Sequence, residues 1–390
     1  MNTTKLQSRT IGEGDTAFGF SMMPYLGQGN VAFSPYSIRT ALAMVYEGAK
    51  GKSAEEISEF ALIPADSTTR LDGYSDLMTK LNASNPDFKL KSANGIWVDN
   101  NFTLNQDFRN SVVSAYQAEV ANADFMNDYE AQRKRINEWV SGKTEGKIID
   151  LFPEGSMDDL TALVLANGVY FKGKWQNKFD IKFTQKQDYT LPTGEKVKVD
   201  MMRKGGVEAG EKLPKFMYCE SDGVQVARLP YEGHELAKVI LLPNSPDTSG
   251  LESQLRKNPN KLLEWLGHLR ETSFVRFEIP KHEIRAAYSL KEPLQEMGIN
   301  SIFDRTADLS GMGHGPVGPL YISSGHHQVY FKTDEEGTEA AAATGFVATM
   351  RCMIEAPKPQ IFVADHPFLE MIVHEPTGST LFLNRINDPR

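Results

Sequence analysis

The chain has 390 residues, 40% hydrophobic and 24% charged, with a formal net charge of −9. That balance predicts a large folded core rather than disorder, and the negative charge argues against nucleic acid or heparin-like polyanions as partners. Its two cysteines, Cys219 and Cys352, exclude a disulfide framework, and no run reaches the roughly 18 apolar residues of a membrane span.

The N-terminus, MNTTKLQSRT, has no apolar stretch, so no signal peptide is expected. The chain therefore reads as cytoplasmic if this N-terminus is native, and as extracellular if a signal was trimmed. Glycosylation triplets at Asn2, Asn82 and Asn101 matter only in the second case. Ser34 and Pro35 open a helix as cap and first-turn proline, and Ile38, Ala41, Leu42 and Val45 follow at helical spacing. Ser53 and Glu56 have the spacing of a capping box. Further helices are expected over 72–82, 105–118 and 128–142, the last carrying Arg133, Lys134 and Arg135 on a solvated face.

From residue 160 the texture changes to strands. "LTALVLANGVYF" (160–171) is almost continuously apolar, as in a strand buried on both faces. It is longer than an ordinary strand, so its first turn is expected to be helical. "VQVARLPY", "LAKVILLPN" and "FVRFEIPKHEI" follow, and "LEMIVHEPTGSTLFLNRI" closes the chain as two strands about a Pro-Thr-Gly turn. Helices first and strands later predict an α+β fold. No linker or repeat divides the chain, so residues 1–390 are expected to form one domain.

Enzyme signatures fail when tested. Gly142-Lys143-Thr144 has Asn137 where a phosphate loop needs glycine, and His282-Glu283 lacks a second histidine because position 286 is alanine. No Gly-x-Ser-x-Gly elbow occurs. His326 and His327 lack a third clustered ligand, which favours a structural role over a metal. Neither an enzyme activity nor a metal or other cofactor is expected.

One stretch remains, "TDEEGTEAAAATGFVATMRCM" (333–353). Gly337 and Gly345 interrupt any helix here. Read with period two, one face carries Thr338, Ala340, Ala342, Thr344, Phe346 and Ala348, and the charge of Glu339 falls on the other. Such a segment suits a central strand, although a functionless small-residue loop has the same composition.

"DEEGTEAAAAT" resembles the hinge of the reactive loop in inhibitory serpins. "FSPYSI" (33–38), "LANGVYFKGKW" (165–175), "EIPKHEI" (278–284), "ADLSGM" (307–312) and "ADHPFLEMIVH" (364–374) also resemble serpin segments, in the family's order. The resemblance implies a fold of three β-sheets with about nine helices and an exposed reactive loop, spanning about 337–360 here. It implies a suicide-type inhibitor. A serine protease attacks the loop and forms an acyl-enzyme, and the cut loop then inserts as a strand and traps the enzyme.

The hinge would be Glu335, Glu336, Gly337, Thr338, Glu339, Ala340, Ala341, Ala342, Ala343 and Thr344. Ala340 to Ala343 are small enough to enter a sheet. The resemblance implies that the residue before the scissile bond is the seventeenth counted from Glu335, which is Arg351, so that Arg351–Cys352 would be the reactive bond and the target trypsin-like. A register shift would instead present Met350 or Phe346 to chymotrypsin-like or cysteine proteases. The stretch after Cys352 is longer than in many members and contains Pro357-Lys358-Pro359. By resemblance, Ser34, Ser37, Asn167 and His327 match the shutter, where the sheet opens. Trp175, Lys281 and Glu335 match the breach, where the loop enters, and Lys281 and Glu335 would form an ion pair there. The protein is expected to act as a monomer; a non-inhibitory carrier, chaperone or storage role is the alternative.

Overall fold

The computed structural model describes residues 3–83, 85–205, 213–316, 318–338 and 359–390. The strand Leu163–Lys174 organises the architecture, because both of its faces are covered. Leu163, Leu165, Val169 and Phe171 enter the main core. Val164 and Ala166 enter a second core with Ile136 and Val140 of the helix Phe125–Lys143. A residue with alternating neighbours on two buried faces has no polar position to spare, which is why the run reads as uninterrupted apolar sequence.

Its expected helical first turn is absent. Leu160 is 75% exposed, and the Asp158 carboxylate accepts from the Leu160 N–H and the Thr161 hydroxyl. These local side-chain bonds hold a turn in place of a helix.

Three sheets are present among the described residues. The main, six-stranded sheet runs His282–Ser289, Ser324–Thr333, Leu163–Lys174, Phe88–Asp99, Glu119–Ala123, with the short strand Gly337–Thr338 added against Leu163–Lys174. A ten-stranded sheet is bent at Arg270–Pro280. The first part of that strand pairs with Lys215–Ser221, and the last part with Lys196–Lys204 and, in parallel, with Gln360–Val363. A two-stranded ribbon is the third. The closing hairpin, Phe368–His374 with Ser379–Ile386, lies in the ten-stranded sheet, its second strand buried throughout.

Ser34 caps the helix Pro35–Tyr46, its hydroxyl accepting from the Ser37 N–H. The capping box at Ser53 and Glu56 does not form, because the helix begins earlier, at Gly51. Both side chains reach across the chain instead. Glu56 accepts from the Asn300 and Ser301 N–H groups, and Ser53 receives the Asp308 N–H. Arg133 likewise leaves the solvated face expected for it. Its guanidinium is buried between Glu130, Asp150 and the Phe152 carbonyl, while Lys134 stays exposed.

Candidate functional site: the hinge and the two central strands

The strands Leu163–Lys174 and Ser324–Thr333 run side by side at the centre of the main sheet. They pair directly and in parallel from Val164 with Ser324 to Tyr170 with Tyr330. Beyond Tyr170 the pairing changes. Lys174 and Gly173 now pair with Gly337 and Thr338, which run antiparallel to them. The chain turns back sharply to get there: the Asp334 N–H donates to the Gly337 carbonyl at 2.9 Å. Gly337 has φ of +152°, and a Cβ there would meet the Gly173 carbonyl oxygen at 2.1 Å, so no other residue fits this entry.

Side chains fix the hinge from several elements. Lys281 pairs with Glu335 at 2.8 Å, and the Thr184 hydroxyl donates to the same carboxylate at 2.7 Å. Burial alone would raise the Glu335 carboxyl, but the bonds from Lys281 and Thr184 outweigh it and hold it below its ordinary value. Lys178 pairs with Glu336 at 2.7 Å. The Trp175 indole N–H donates to the Asp334 carbonyl and its backbone N–H to the Glu336 carbonyl, both at 2.9 Å. Lys204 donates to the Lys178 carbonyl while its ammonium lies over the Phe179 ring; burial pulls its pKa down to about 8.

Thr338 is fully buried, with its hydroxyl 2.7 Å from that of Tyr231. Behind the entry, Lys238 pairs with Glu370 at 2.7 Å, and His282 and Asn384 contact the same carboxylate. Burial would raise the Glu370 carboxyl, yet Lys238 and His282 together keep it well below the usual range.

Further down the same strand pair, Ser34, Ser37, Asn167 and His327 meet in one dry cluster. The Ser34 N–H donates to His327 Nε2 at 3.1 Å, so Nε2 is unprotonated and Nδ1–H donates to Asn167 Oδ1 at 2.5 Å. The Asn167 amide donates to the Ser37 hydroxyl, the Ser37 carbonyl and Asn94 Oδ1, at 2.7 to 2.8 Å. Burial holds the His327 pKa down at about 3. Asn167 and His327 sit opposite each other on the two central strands, so the cluster ties those strands together and to the helix beneath.

Sequence reasoning missed Asn94, Lys178, Thr184, Lys204 and Tyr231. Asn94 carried the best signal, a buried amide in an otherwise apolar strand segment. Glu339, Ala340, Ala341, Ala342, Ala343, Thr344, Phe346, Met350, Arg351 and Cys352 lie outside the described residues. No helix among the described residues is long and apolar enough to cross a membrane.

A mixed α+β fold of three sheets, whose main sheet takes up the short strand Gly337–Thr338 where its two central strands cease to pair, is the fold of the serpin class. The family model described as Serpin (serine protease inhibitor) matches residues 13–389, and the chain belongs to this family. It is 38% identical to a leukocyte elastase inhibitor of Bos taurus, covering 93% of each chain. It is 37% identical to serpin B8 of Homo sapiens, covering 97% of this chain and 99% of that one. Among solved structures, a serpin described as highly specific, from the insect Tenebrio molitor, superposes with a TM-score of 0.84 at 28% identity over 100% of both chains. An Arabidopsis serpin in its native stressed conformation superposes with a TM-score of 0.83 at 27% identity, covering 100% of this chain and 99% of that one.

Proposed function

We propose that this serpin is an irreversible inhibitor of trypsin-like serine proteases, offering Arg351–Cys352 as bait within a loop spanning about 337–360. The protease serine attacks the Arg351 carbonyl, an acyl bond forms as the Arg351–Cys352 peptide bond breaks, and the chain beginning at Cys352 leaves as the amine. The freed stem then continues the strand begun at Gly337–Thr338, parting the two central strands and carrying the tethered enzyme with it. Sixteen residue steps separate Glu335 from Arg351, about 55 Å when extended, enough to cross a domain of this size.

The seated hinge is the observation that carries the proposal. The first two residues of the loop, Gly337 and Thr338, are already paired at the one end where the central strands are not paired to each other. In this mechanism the cluster of Ser34, Ser37, Asn167 and His327 resists premature opening, while Trp175, Lys281 and Glu335 guide entry. One chain suffices, with no cofactor. A polyanion has little to hold on the helix Ser67–Asn82, where Arg70 is buried against Glu47 and Lys80 pairs with Asp76.

The relative named for leukocyte elastase favours a second reading, in which Met350 or Phe346 serves a protease with an apolar pocket. One experiment separates the two. The protein is mixed with trypsin, chymotrypsin and elastase in parallel, denaturant-resistant complexes are sought on gels, and the new N-terminus is identified by mass spectrometry. Trypsin should yield the complex, and the new N-terminus should be Cys352. Arg351→Ala should lose most trypsin inhibition, since the pocket carboxylate is left unpaired at roughly 2–5 kcal/mol. Undiminished inhibition would move the bait to another residue. Cleavage without any complex would assign the chain a carrier, chaperone or storage role.

A further inference from the structure

We propose that the Tyr231 hydroxyl is a positioning group for the reactive loop: by bonding Thr338 it keeps the hinge seated and sets the register in which the loop inserts. This rests on the insertion mechanism proposed above.

Two buried hydroxyls meet at 2.7 Å, and both residues are fully buried. Among the described residues, Thr338 is the only hydrogen-bond partner of the Tyr231 hydroxyl. The ring cannot turn away to find another. It stacks on Trp175 with centroids 4.7 Å apart, and Phe171 meets it edge-on at 5.4 Å. Its backbone is bridged to Trp175, and its N–H donates to the Leu236 carbonyl at 3.0 Å. The hydroxyl is therefore preorganised, at the bottom of the slot that Thr338 fills. Withdrawing the hinge would leave it unpaired in a dry pocket, which costs more than the bond itself contributes.

The register argument is separate. Two residue pairs, Gly337 with Lys174 and Thr338 with Gly173, seat the hinge in the sheet, and Gly337 is the only residue that fits against the Gly173 carbonyl. A slip of one residue would exchange the two faces of the strand, and the hydroxyl pair adds to Gly337 in opposing it. In the observed register Thr338 points inward, and Ala340, Ala342 and Thr344 share its parity in the sequence. A slip of one would send Glu339 inward in their place. The hydroxyl pair forms only in the register that keeps this carboxylate out.

The test compares wild type with Tyr231→Phe, Thr338→Val, Thr338→Ser and the Tyr231→Phe/Thr338→Val double variant. Hydrogen exchange of the peptide containing residues 335–338 is measured in the uncut protein, and the stoichiometry of inhibition is measured with trypsin. Each of the first two variants should exchange roughly three- to tenfold faster at the hinge, the factor that one buried hydrogen bond contributes. Each should also consume several inhibitor molecules per protease trapped, with the excess released as cut, free inhibitor. Thr338→Ser keeps the hydroxyl and should behave as wild type. The double variant should be no worse than the worse single one, because it leaves no orphaned polar group. Wild-type exchange in both single variants, or effects that simply add in the double, would overturn the proposal. If wild type traps no protease, the mechanism fails, but the exchange measurement still decides whether the hydroxyl holds the hinge.

Discussion

His327 is neutral because it has to be. It accepts a backbone N–H at Nε2, donates from Nδ1, and is buried without a carboxylate, so protonation would break a bond and strand a charge. Burial holds its pKa at about 3, against 6.5 in an unfolded chain. As pH falls below about 6.5 the unfolded chain takes up a proton that the folded one refuses. Stability is therefore lost progressively between about pH 6.5 and 3, and the loss ends once both forms are protonated. His374, held down at about 4 mainly by burial, adds to the same slope. In His327→Gln the group that refuses the proton is gone. The variant should be less stable than wild type at pH 7, and the gap between their urea midpoints should narrow by pH 4. Parallel midpoints across that range would mean that His327 is not the titrating group.

At the scale of the element, the hinge strand makes an asymmetric demand on its residues. Thr338 already occupies a closed slot, whereas Glu339 has the opposite parity. Thr338→Arg would put a guanidinium where no partner waits, at an effective cost of several kcal/mol. Insertion races deacylation, and each 1.36 kcal/mol added to its barrier slows it about tenfold. The variant should be cut after Arg351 yet form almost no stable complex with trypsin, while Glu339→Arg should remain largely inhibitory. Equal trapping by both would refute strand insertion. This alternation could be read in the sequence, because a strand's period is local and its small residues are contiguous. The double-sided burial of Leu163–Lys174 was legible for the same reason. The N-terminal helix Thr3–Met22 was not, since Gly12 and Gly14 argue against a helix. The structure gives Gly12 its reason: a Cβ there would lie 2.2 Å from the Thr377 carbonyl oxygen, a partner 365 residues away. The short helices Ser249–Lys257, Asn260–His268 and Lys291–Met297 were missed as well. They are only seven to nine residues long, so the spacing of Leu251 with Leu255, or of Leu262 with Trp265, repeats too few times to mark a helix. At the site, Tyr231 was invisible because its role depends on a hydroxyl met across 107 residues of chain.

For the whole molecule, the proposed mechanism takes the uncut fold to be one strand short. Its two central strands are joined along most of their length and tied together by Asn167 and His327, and among the described residues Gly337 and Thr338 pair with one of them. On that mechanism such a state persists because opening the sheet is slow, and its stability is kinetic. On the proposed mechanism, cutting the loop frees its stem to extend the strand begun at Gly337–Thr338. A full new strand between two neighbours forms roughly ten or more ladder bonds, each contributing about 1 kcal/mol net. A chain of 390 residues shifts by little more than about 1 °C per kcal/mol, so a gain near 10 kcal/mol raises the melting midpoint by about 12 °C. A protease that nicks anywhere in 340–351 without being trapped should therefore produce a two-fragment protein that melts about 10 °C or more above the intact one. Calorimetry before and after the nick is the measurement. The direction of the change separates this mechanism from its rival. A loop that merely decorates a finished fold would leave the midpoint unchanged or lower it, since a cut frees chain ends and adds no contact. A nicked protein melting at the original temperature would mean that the strand begun at Gly337–Thr338 never extends.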